Sequence, residues 1–259
     1  MIKRYFRNII PKSLLNAYKK RQIIKIIQNF DIKDEPDLIV AQKLVNSDSL
    51  FIDIGTNIGL YTKFLSPFAS KTIAYEPVPF TFSMLSNVVS RFRLENVKLN
   101  QIAISDKNGE SLIDIPIHTG VYNYYRASMT DTSVDLPSGN NQVLVKTKTI
   151  DSILLNYAEQ ISFIKCDVEG HELFCINGAH KLLNQARPSW LIEISGNPDD
   201  ENSSSAQLLK IMRNYNYRIF LFENMVLRPR TKGDQSVNYF FLQESHIALL
   251  NQTNIVVQS

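Results

Sequence analysis

The chain is 259 residues long, 44% of them hydrophobic, and its formal net charge at pH 7 is +3. A chain of this length and apolar content can bury one full α/β core, so no second domain is required. It contains neither an apolar run of the roughly 18 residues that a membrane-spanning helix needs nor a signal-peptide hydrophobic region with a small-residue cleavage site. Two cysteines, Cys166 and Cys175, lie in or next to a predicted core strand. These features predict a cytoplasmic protein with reduced thiols and no disulfide.

The positive charge is concentrated at the N-terminus. Residues 1–30 hold eight lysines and arginines and no acid, so subtracting these eight from +3 leaves −5 for the rest of the chain. Apolar residues recur among the cations at helical spacing, which is typical of a segment that lies on an anionic membrane surface or packs on its own domain. We predict packing for residues 14–30. Attachment to the inner face of a membrane is the alternative kept for residues 1–12, and nucleic acid is not a predicted partner because the acidic remainder repels phosphate.

Strands and helices alternate along the chain. After the basic segment we predict a helix at 36–45, a strand at 50–54, a helix at 58–66, a strand at 72–76, a helix at 79–91 and a strand near 97–102. An insertion follows, with short strands at 111–117 and 142–149 around a polar, aromatic loop. The series closes with a strand at 161–166, a helix at 171–185, a strand at 189–194, a helix at 204–214 and strands at 217–222 and 237–242. Such alternation predicts an α/β fold, a mostly parallel sheet with helices on both faces and ligands at the carboxyl ends of its strands.

The stretch from the strand at 50–54 to Gly59 carries the first functional signal. Apolar residues fill most of this strand, as a parallel strand covered on both faces requires. Gly55 and Gly59 then let the backbone turn sharply and approach a ligand. Glu76 lies 21 positions beyond Gly55, close to the spacing of about 20 residues at which an acidic side chain meets a ribose hydroxyl. The order and spacing predict a nucleoside pocket.

The glycine spacing narrows the choice of nucleoside. A dinucleotide site needs a middle glycine where this chain has Asn57, so NAD is not predicted. Asp53 places a carboxylate just before the turn, which suits an amine-bearing or cationic ligand better than a phosphate. S-adenosylmethionine combines an amino group, a sulfonium cation and a ribose, so we predict it as the cofactor. The structural alternatives are that Asp53 caps the turn, that the glycines only shape it and that Glu76 is a solvated strand end.

In these motifs the chain resembles the FkbM-like S-adenosylmethionine-dependent methyltransferases. The matching segments are residues 51–59, 75–77, 103–106, 149–151, 164–172 and 190–193. The most specific of them reads Lys-x-Asp-x-Glu-Gly-x-Glu and runs from Lys165 to Glu172. The resemblance implies a class I methyltransferase fold, Rossmann-like and closed by an antiparallel C-terminal hairpin, with methyl transfer most often to a hydroxyl oxygen. It also implies that Ser105 and Asp106 lie against the adenine, although both residues equally suit an ordinary turn.

Candidate residues for the chemistry follow two predicted core strands. Asp167, Glu169 and His171 come after one strand, and Glu193 ends the next. Because the carboxyl ends of parallel strands meet at one edge of a sheet, these side chains should share one opening. A hydroxyl acceptor must pass its proton to a base within hydrogen-bond reach. We assign that role to Asp167 or Glu169, with His171 and Glu193 as further candidates. Lys165 within the strand needs a partner, Asp167 or Glu193, because it is expected to be buried.

Each candidate also has a structural interpretation. Asp167 suits a cap, and His171 suits a surface position at a helix start. Glu169 and Glu172 suit a first helical turn, where they complement the helix dipole, and for Glu172 we favour this role. Mg²⁺ bound by carboxylates is the alternative to a direct base. We do not favour it, and we assign no metal ligand, because no aspartate-rich run with metal-ligand spacing appears elsewhere.

The aromatic loop of the insertion is expected to border the acceptor site. Tyrosine offers an apolar face together with a hydroxyl, so this loop is suited to stack on a sugar, and its arginine is suited to bind an anion. The residues concerned are Tyr122, Tyr124, Tyr125, Arg126 and Ser128. An exposed loop whose aromatics simply pack is the plain alternative.

The sequence therefore predicts a basic helical N-terminal extension, residues 1–47, and a methyltransferase domain, residues 48–250. The predicted activity is S-adenosylmethionine-dependent O-methylation of a sugar, a glycan or a secondary metabolite. N-methylation of an amine is the alternative among enzymes, and a non-catalytic nucleoside-binding or membrane-surface scaffold is the alternative outside them. Neither the acceptor nor the oligomeric state follows from the sequence.

Overall fold

A computed structural model of the protein describes residues 12–118, 121–122, 127–129 and 141–258. Its helices are α1 (Lys12–Gln28), α2 (Asp37–Leu44), α3 (Leu60–Leu65), α4 (Pro79–Arg91), α5 (Ile150–Leu154), α6 (Glu172–Asn177), α7 (His180–Gln185), α8 (Ser204–Asn214) and α9 (Glu244–Leu250). Its strands are β1 (Leu50–Ile54), β2 (Lys71–Tyr75), β3 (Val97–Asn100), β4 (Ala103–Ile104), β5 (Gly109–Ile115), β6 (Ile117–His118), β7 (Val121–Tyr122), β8 (Ser128–Met129), β9 (Asn141–Lys148), β10 (Ile161–Cys166), β11 (Ser189–Glu193), β12 (Arg218–Glu223), β13 (Val226–Pro229), β14 (Asn238–Leu242) and β15 (Val256–Val257).

Within the described ranges, nine strands form the central sheet, in the order β15-β13-β12-β14-β11-β10-β1-β2-β3. The pairs β1–β2, β2–β3, β1–β10 and β10–β11 are parallel. β14 runs antiparallel to both of its neighbours, β11 and β12. The predicted fold class, a mostly parallel α/β sheet that ends in an antiparallel C-terminal pair, is confirmed. β13 and β15, which extend the sheet beyond β12, were not predicted.

The sheet separates two cores, because successive strand residues point to opposite faces. Ile52 of β1 and Ile164 of β10 pack on one face, beneath α6, α7 and α8. Phe51 and Phe163, one position earlier on the same strands, pack on the other face with α2, α3 and α9. All five residues of β1 are buried. The apolar run at 50–54 therefore reflects cover on both faces, and Asp53 is its one charged member.

Four strands of the described residues, most of them from the insertion, form a second sheet in the order β4-β9-β5-β8. Its centre is an antiparallel pair that runs from Gly109 opposite Thr147 to Ile115 opposite Asn141. Ser128 lies in β8. The other residues predicted to border an acceptor fall outside the description, Tyr124, Tyr125 and Arg126 entirely and Tyr122 by its side chain. Their role stays a prediction.

The helix predicted at 171–185 is two helices, α6 and α7. The backbone N–H groups of Lys181 and Leu182, in the first turn of α7, both donate to the carboxylate of Asp151, at 2.9 Å each. Between the helices, a Cβ at Gly178 would lie 2.3 Å from the carbonyl oxygen of Ser105. The break therefore follows from a capping aspartate on α5 and a close backbone approach, which helical periodicity does not reveal.

The N-terminal helix α1 packs on the domain through its apolar face. Ile23, Ile24 and Ile27 are buried against Met84 and Val88 of α4. Residues 1–11 lie outside the described part of the chain, so the surface attachment considered for residues 1–12 stays a prediction. Among the described residues, no helix is both long and apolar enough to cross a membrane.

Candidate functional site

The turn after β1 is so close to its neighbours that only glycine fits. Gly55 has a φ of +73°, and a Cβ built there would lie 1.7 Å from the backbone oxygen of Asp167. The N–H groups of Gly55 and Thr56 donate to the carbonyl oxygen of Tyr75, at 3.0 and 3.1 Å. The carboxyl ends of β1, β2 and β10 therefore meet at this turn, which is where ligands bind in parallel α/β sheets.

The same turn continues with two further left-handed residues. Asn57 has a φ of +54°, a conformation that asparagine adopts more readily than most side chains. Its N–H donates to Oε2 of Glu76 at 2.9 Å. Gly59 has a φ of +89°, and a Cβ there would lie 2.7 Å from Cδ1 of Leu85. Gly59 therefore lets α3 begin in contact with α4.

Glu76 ties the turns after β1 and β2 together. Besides the Asn57 N–H, it accepts hydrogen bonds from the Val78 N–H at 2.9 Å and from Oγ1 of Thr81 at 2.6 Å. Burial raises the pKa of Glu76 to about 7, against the lowering effect of these hydrogen bonds. Glu76 is only 5% exposed, so it is not a solvated strand end.

Glu76 lines a cavity that we call the apolar pocket. Its walls are largely aliphatic, with Ile54, Val78, Ile104, Ile113, Met129 and Val168 among them. Its polar side chains include Asn57, Glu76, Asp167, Glu169 and His171. An apolar slot with a few placed polar groups suits a flat base and its sugar.

Ser105 and Asp106 do not line the apolar pocket. They are connected to it by a contact between Ser105 and His171, which does line it. Oγ of Ser105 donates to Oδ1 of Asp106 at 3.1 Å and lies 2.9 Å from Nε2 of His171. The His171 ring stacks on Phe174, with ring centroids 4.3 Å apart. Burial lowers the pKa of His171 to about 4, against the raising effect of Asp106. His171 is therefore neutral at neutral pH and lies on the apolar-pocket side of the site.

A second cavity, the polar cavity, adjoins the first. It shares Gly55, Asn57 and Asp167 with the apolar pocket. Its other polar side chains include Glu35, Asp53, Tyr61, Lys165, Glu193 and Asn238. Of the predicted site residues, the structure thus brings Asp53, Lys165, Asp167 and Glu193 together here. Gly59 supports the turn from behind, outside the lining of either cavity.

Lys165 is the buried centre of the polar cavity. It is 3% exposed, and its Nζ lies 3.3 Å from Oδ2 of Asp167 and 5.0 Å from the centre of the Tyr61 ring. Burial lowers the pKa of Lys165, but the charges of Asp167, Glu193 and Asp53 outweigh burial and raise it above its usual value. Lys165 therefore stays protonated and holds these carboxylates near one another.

Two carboxyl groups in the polar cavity have a raised proton affinity. Asp53 is 2% exposed and accepts a hydrogen bond from Oγ1 of Thr62 at 2.5 Å, and burial raises its pKa to about 6. Burial, with the charge of Asp167 next, raises the pKa of Glu193 to about 7. Such groups exchange protons near neutral pH, which is a common property of functional sites.

The sequence reasoning missed the part of this cavity that comes from the N-terminal side of the predicted domain boundary. Oε1 of Glu35 accepts hydrogen bonds from the Tyr61 hydroxyl at 2.7 Å and from Nδ2 of Asn238 at 3.2 Å. The same Nδ2 donates to Oδ2 of Asp37 at 2.8 Å, and burial raises the pKa of Asp37 to about 6. Acids at the start of a helix usually indicate dipole complementation, so no sequence signal pointed to a site.

Glu172 and Glu169 differ in role although both follow β10. Oε1 of Glu172 accepts hydrogen bonds from the N–H groups of Val168 and Gly170, at 3.1 and 3.0 Å. Glu172 therefore stabilises the turn that leads into α6. Glu169 has a φ of +52° and an exposed side chain at the rim of the apolar pocket. Within the described residues, no group of three or more His, Cys, Asp or Glu side chains is arranged to hold a metal ion.

Comparison with known proteins gives a family match and several similar chains. The methyltransferase FkbM domain matches residues 53–219. "Methyltransferase 1" of Beauveria bassiana (strain ARSEF 2860) is 27% identical over an alignment of 145 residues, and the match covers 51% of this chain and 58% of that protein. The structure of a methyltransferase FkbM from Methylobacillus flagellatus KT has a TM-score of 0.45 at 16% identity and covers 76% of this chain and 44% of its own. A putative methyltransferase from Streptococcus mutans, in complex with SAH, has a TM-score of 0.45 at 12% identity over 82% of this chain and 99% of its own.

The chain spans less than two thirds of the length of the first two of these relatives. The family match covers more than half of this chain and contains the β1 turn, Glu76, the carboxylates that follow β10 and the carboxylate that ends β11. On that match, the chain belongs to the methyltransferase FkbM family.

Proposed function

We propose that the protein transfers a methyl group from S-adenosylmethionine to a hydroxyl oxygen of a sugar, a glycan or a secondary metabolite. The observation that carries the proposal is that two unlike cavities meet at one turn. The apolar pocket suits a nucleoside, and the polar cavity holds carboxylates that suit a proton-releasing acceptor. Gly55, Asn57 and Asp167 belong to both walls, so two ligands bound there would be neighbours.

The residues of the apolar pocket fit this cofactor. Gly55 leaves the backbone bare where a Cβ would meet Asp167, the buried Glu76 carboxylate is suited to ribose hydroxyls, and the aliphatic walls suit an adenine. Asp53, in the adjoining cavity, is suited to the amino group. When bound, S-adenosylmethionine supplies an electrophilic methyl carbon on its sulfonium. Asn57 in place of the middle glycine argues against a dinucleotide.

The chain's own part is to hold the acceptor and to take up its proton. Asp167 lies on the wall that both cavities share, and its ion pair with Lys165 fixes its position. Glu193, with a pKa of about 7, is suited to hold a proton near neutral pH. We therefore assign proton uptake to Asp167, with Glu193 as the second carboxylate and Lys165 as the group that orients both. Glu169 and His171 lie on the side of the apolar pocket and are weaker candidates.

Ligand binding tests the cofactor without knowledge of the acceptor. S-adenosylhomocysteine should raise the melting temperature of the protein and NAD should not, since only a ligand that binds the native state stabilises it. A shift with NAD alone would remove the cofactor from the proposal. Methyl-transfer profiling against glycan and metabolite extracts, scored by the mass of a methyl group, then identifies the acceptor.

The proton acceptor is tested by Asp167→Asn, with the exposed Asp48→Asn as the matched control. We expect Asp167→Asn to lower turnover by about 10²- to 10⁴-fold, the usual contribution of a general base, and to leave the affinity for S-adenosylhomocysteine near that of the wild type. Activity should survive exhaustive chelation. If chelation removes activity and Mg²⁺ restores it, the carboxylates act as metal ligands instead. Wild-type turnover in Asp167→Asn would transfer the role to Glu193 or His171.

The cellular location and the partners of the protein are also proposals. We place the protein in the cytoplasm with a small-molecule or glycan substrate and without nucleic acid. Attachment through residues 1–12 to an anionic membrane is the alternative to a fully soluble protein.

A further inference from the structure

We propose that the polar cavity takes a methyl acceptor that carries an ammonium group, and that Glu35 is the residue that selects it. The inference rests on the proposed function, because it describes the acceptor side of the same site. It goes further in naming the charge of the substrate and a specificity-determining residue outside the predicted methyltransferase domain.

The charges of the polar cavity are unbalanced. Glu35, Asp53, Asp167 and Glu193 line it, and Lys165 is the one lysine or arginine among its described lining residues. Even with Lys165 paired to Asp167 and one further carboxylate facing the amino group of the cofactor, acidic groups remain in excess. A cationic ligand lowers the free energy of such a site, whereas an anionic ligand is repelled.

The hydrogen-bonding groups of the cavity are unbalanced in the same sense. Nδ2 of Asn238 donates to Glu35 and Asp37, and this orients the amide so that its Oδ1 is buried without a donor. Oδ1 of Asn57, on the same cavity, is also buried without a donor. The Tyr61 hydroxyl donates to Glu35. The groups around the cavity are therefore rich in acceptors and negative charge, and an ammonium group supplies both three donors and the opposite charge.

The ammonium group is proposed as the point of recognition and a hydroxyl as the point of methylation. An amine attacks a methyl group only through its neutral form, and surrounding carboxylates stabilise the protonated form. The cavity thus keeps an amine charged and unreactive, while a neighbouring hydroxyl can pass its proton to Asp167 or Glu193. An amino sugar has both groups on adjacent or nearby carbons.

Glu35 is the carboxylate that remains for the ammonium group. Asp53 is assigned to the amino group of the cofactor, Asp167 is paired with Lys165 and assigned to proton uptake, and Glu193 is its second carboxylate. Glu35 is half-buried and is held from two separate elements, α3 through Tyr61 and β14 through Asn238. It is therefore both accessible to a ligand and fixed in position.

The test measures the binding of three sugars to the protein saturated with S-adenosylhomocysteine. Glucosamine should raise the melting temperature and bind at least about tenfold more tightly than glucose or N-acetylglucosamine, because a charge-assisted hydrogen bond is worth about that factor or more. Added salt should weaken the binding of glucosamine. Equal shifts for the three sugars, zero included, would overturn the inference and leave the cofactor result untouched.

Glu35→Gln isolates the charge, since glutamine keeps an oxygen that accepts from Tyr61 and Asn238. It should abolish the preference for glucosamine while the affinity for S-adenosylhomocysteine stays unchanged, which also shows that the variant is folded. The matched control is Glu159→Gln, at an exposed glutamate just before β10, and it should keep the preference. A preference that survives Glu35→Gln would remove Glu35 from the proposed recognition.

Discussion

Glu76 lines the proposed cofactor pocket and also stabilises the local structure of the site. Its carboxylate accepts hydrogen bonds from the turn after β1 and from the first turn of α4, while it also lines the apolar pocket. We expect Glu76→Ala to weaken the binding of S-adenosylhomocysteine by about 1.5–3 kcal/mol, the usual value of a hydrogen bond to a charged group. Titration calorimetry measures this loss. Glu110→Ala, at an exposed strand position, is the control, and an unchanged affinity in Glu76→Ala would leave Glu76 with a structural role only.

A comparison of Gly55 with Gly233 separates the free-energy cost of a steric clash from that of a strained backbone. Gly55→Ala would place a Cβ 1.7 Å from a backbone oxygen, whereas a Cβ at Gly233, with a φ of +93°, would meet nothing within 4 Å. We expect Gly233→Ala to cost about 1–2 kcal/mol, the left-handed strain alone. Gly55→Ala should cost more than about 4 kcal/mol, since backbone cannot move aside. Urea unfolding compares the two variants. Equal losses would mean that the chain relaxes around the turn.

The limits of sequence reasoning at this scale follow from distance along the chain. Gly55 and Glu76 could be predicted because a strand, a tight turn and the next strand place them at a nearly fixed spacing. Glu35 could not, because its contact with Asn238 joins residues 203 positions apart. His171 was predicted near the site, and its role stays a prediction. Its contact with Ser105, 66 positions away, places it on the side of the apolar pocket.

At the scale of elements, periodicity predicted the parallel strands well and their connections less well. β1 and β10 are apolar because both of their faces are covered, and this is visible in the sequence. The division of residues 172–185 into α6 and α7 depends on Asp151, which belongs to another element. The helical pattern alone therefore predicted one continuous helix. β13 and β15 are short strands near one edge of the sheet, where β13 pairs with β12 and β15 pairs with β13, and neither strand gives a periodic signal of the required length.

Asp151 gives a test of that division. Its carboxylate accepts hydrogen bonds from the Lys181 and Leu182 N–H groups at the start of α7, so it acts as a cap contributed by α5. We expect Asp151→Ala to lower the free energy of unfolding by about 0.5–2 kcal/mol, as the loss of a helix cap does. Asp48→Ala, at an exposed position, should change it by less than about 0.5 kcal/mol. If chemical denaturation gives the same stability for both variants, Asp151 does not cap α7 in solution.

At the scale of the whole molecule, the buried carboxylates of the site destabilise the folded protein when they are ionised. Burial raises the pKa of Asp37 and Asp53 to about 6 and of Glu76 and Glu193 to about 7. All four carboxylates lie at the carboxyl edge of the sheet, in or beside the two cavities. A folded state that gathers carboxylates in this way binds protons more tightly than the unfolded chain does. Near neutral pH these buried carboxylates therefore lower the free energy of unfolding, and a cationic ligand bound beside them would reduce that loss.

Asp53 makes this cost measurable. A carboxyl group whose pKa is raised by folding contributes stability that is full below its unfolded pKa of about 3.9 and is lost as the pH rises through the folded value of about 6. The ligand-free protein should therefore lose stability between about pH 4 and pH 7, by up to about 3 kcal/mol for this one group.

His171 and His246, whose pKa values burial lowers to about 4, act in the opposite direction below about pH 6.5. Both the wild type and Asp53→Asn contain these histidines, so the difference between their free energies of unfolding at each pH removes the histidine effect. We expect denaturation at a series of pH values to show that this difference changes across the window, with the Asp53→Asn variant gaining stability relative to the wild type as the pH rises, and that Asp48→Asn shows no such change. A difference that is flat with pH would mean that Asp53 is already ionised in the folded protein.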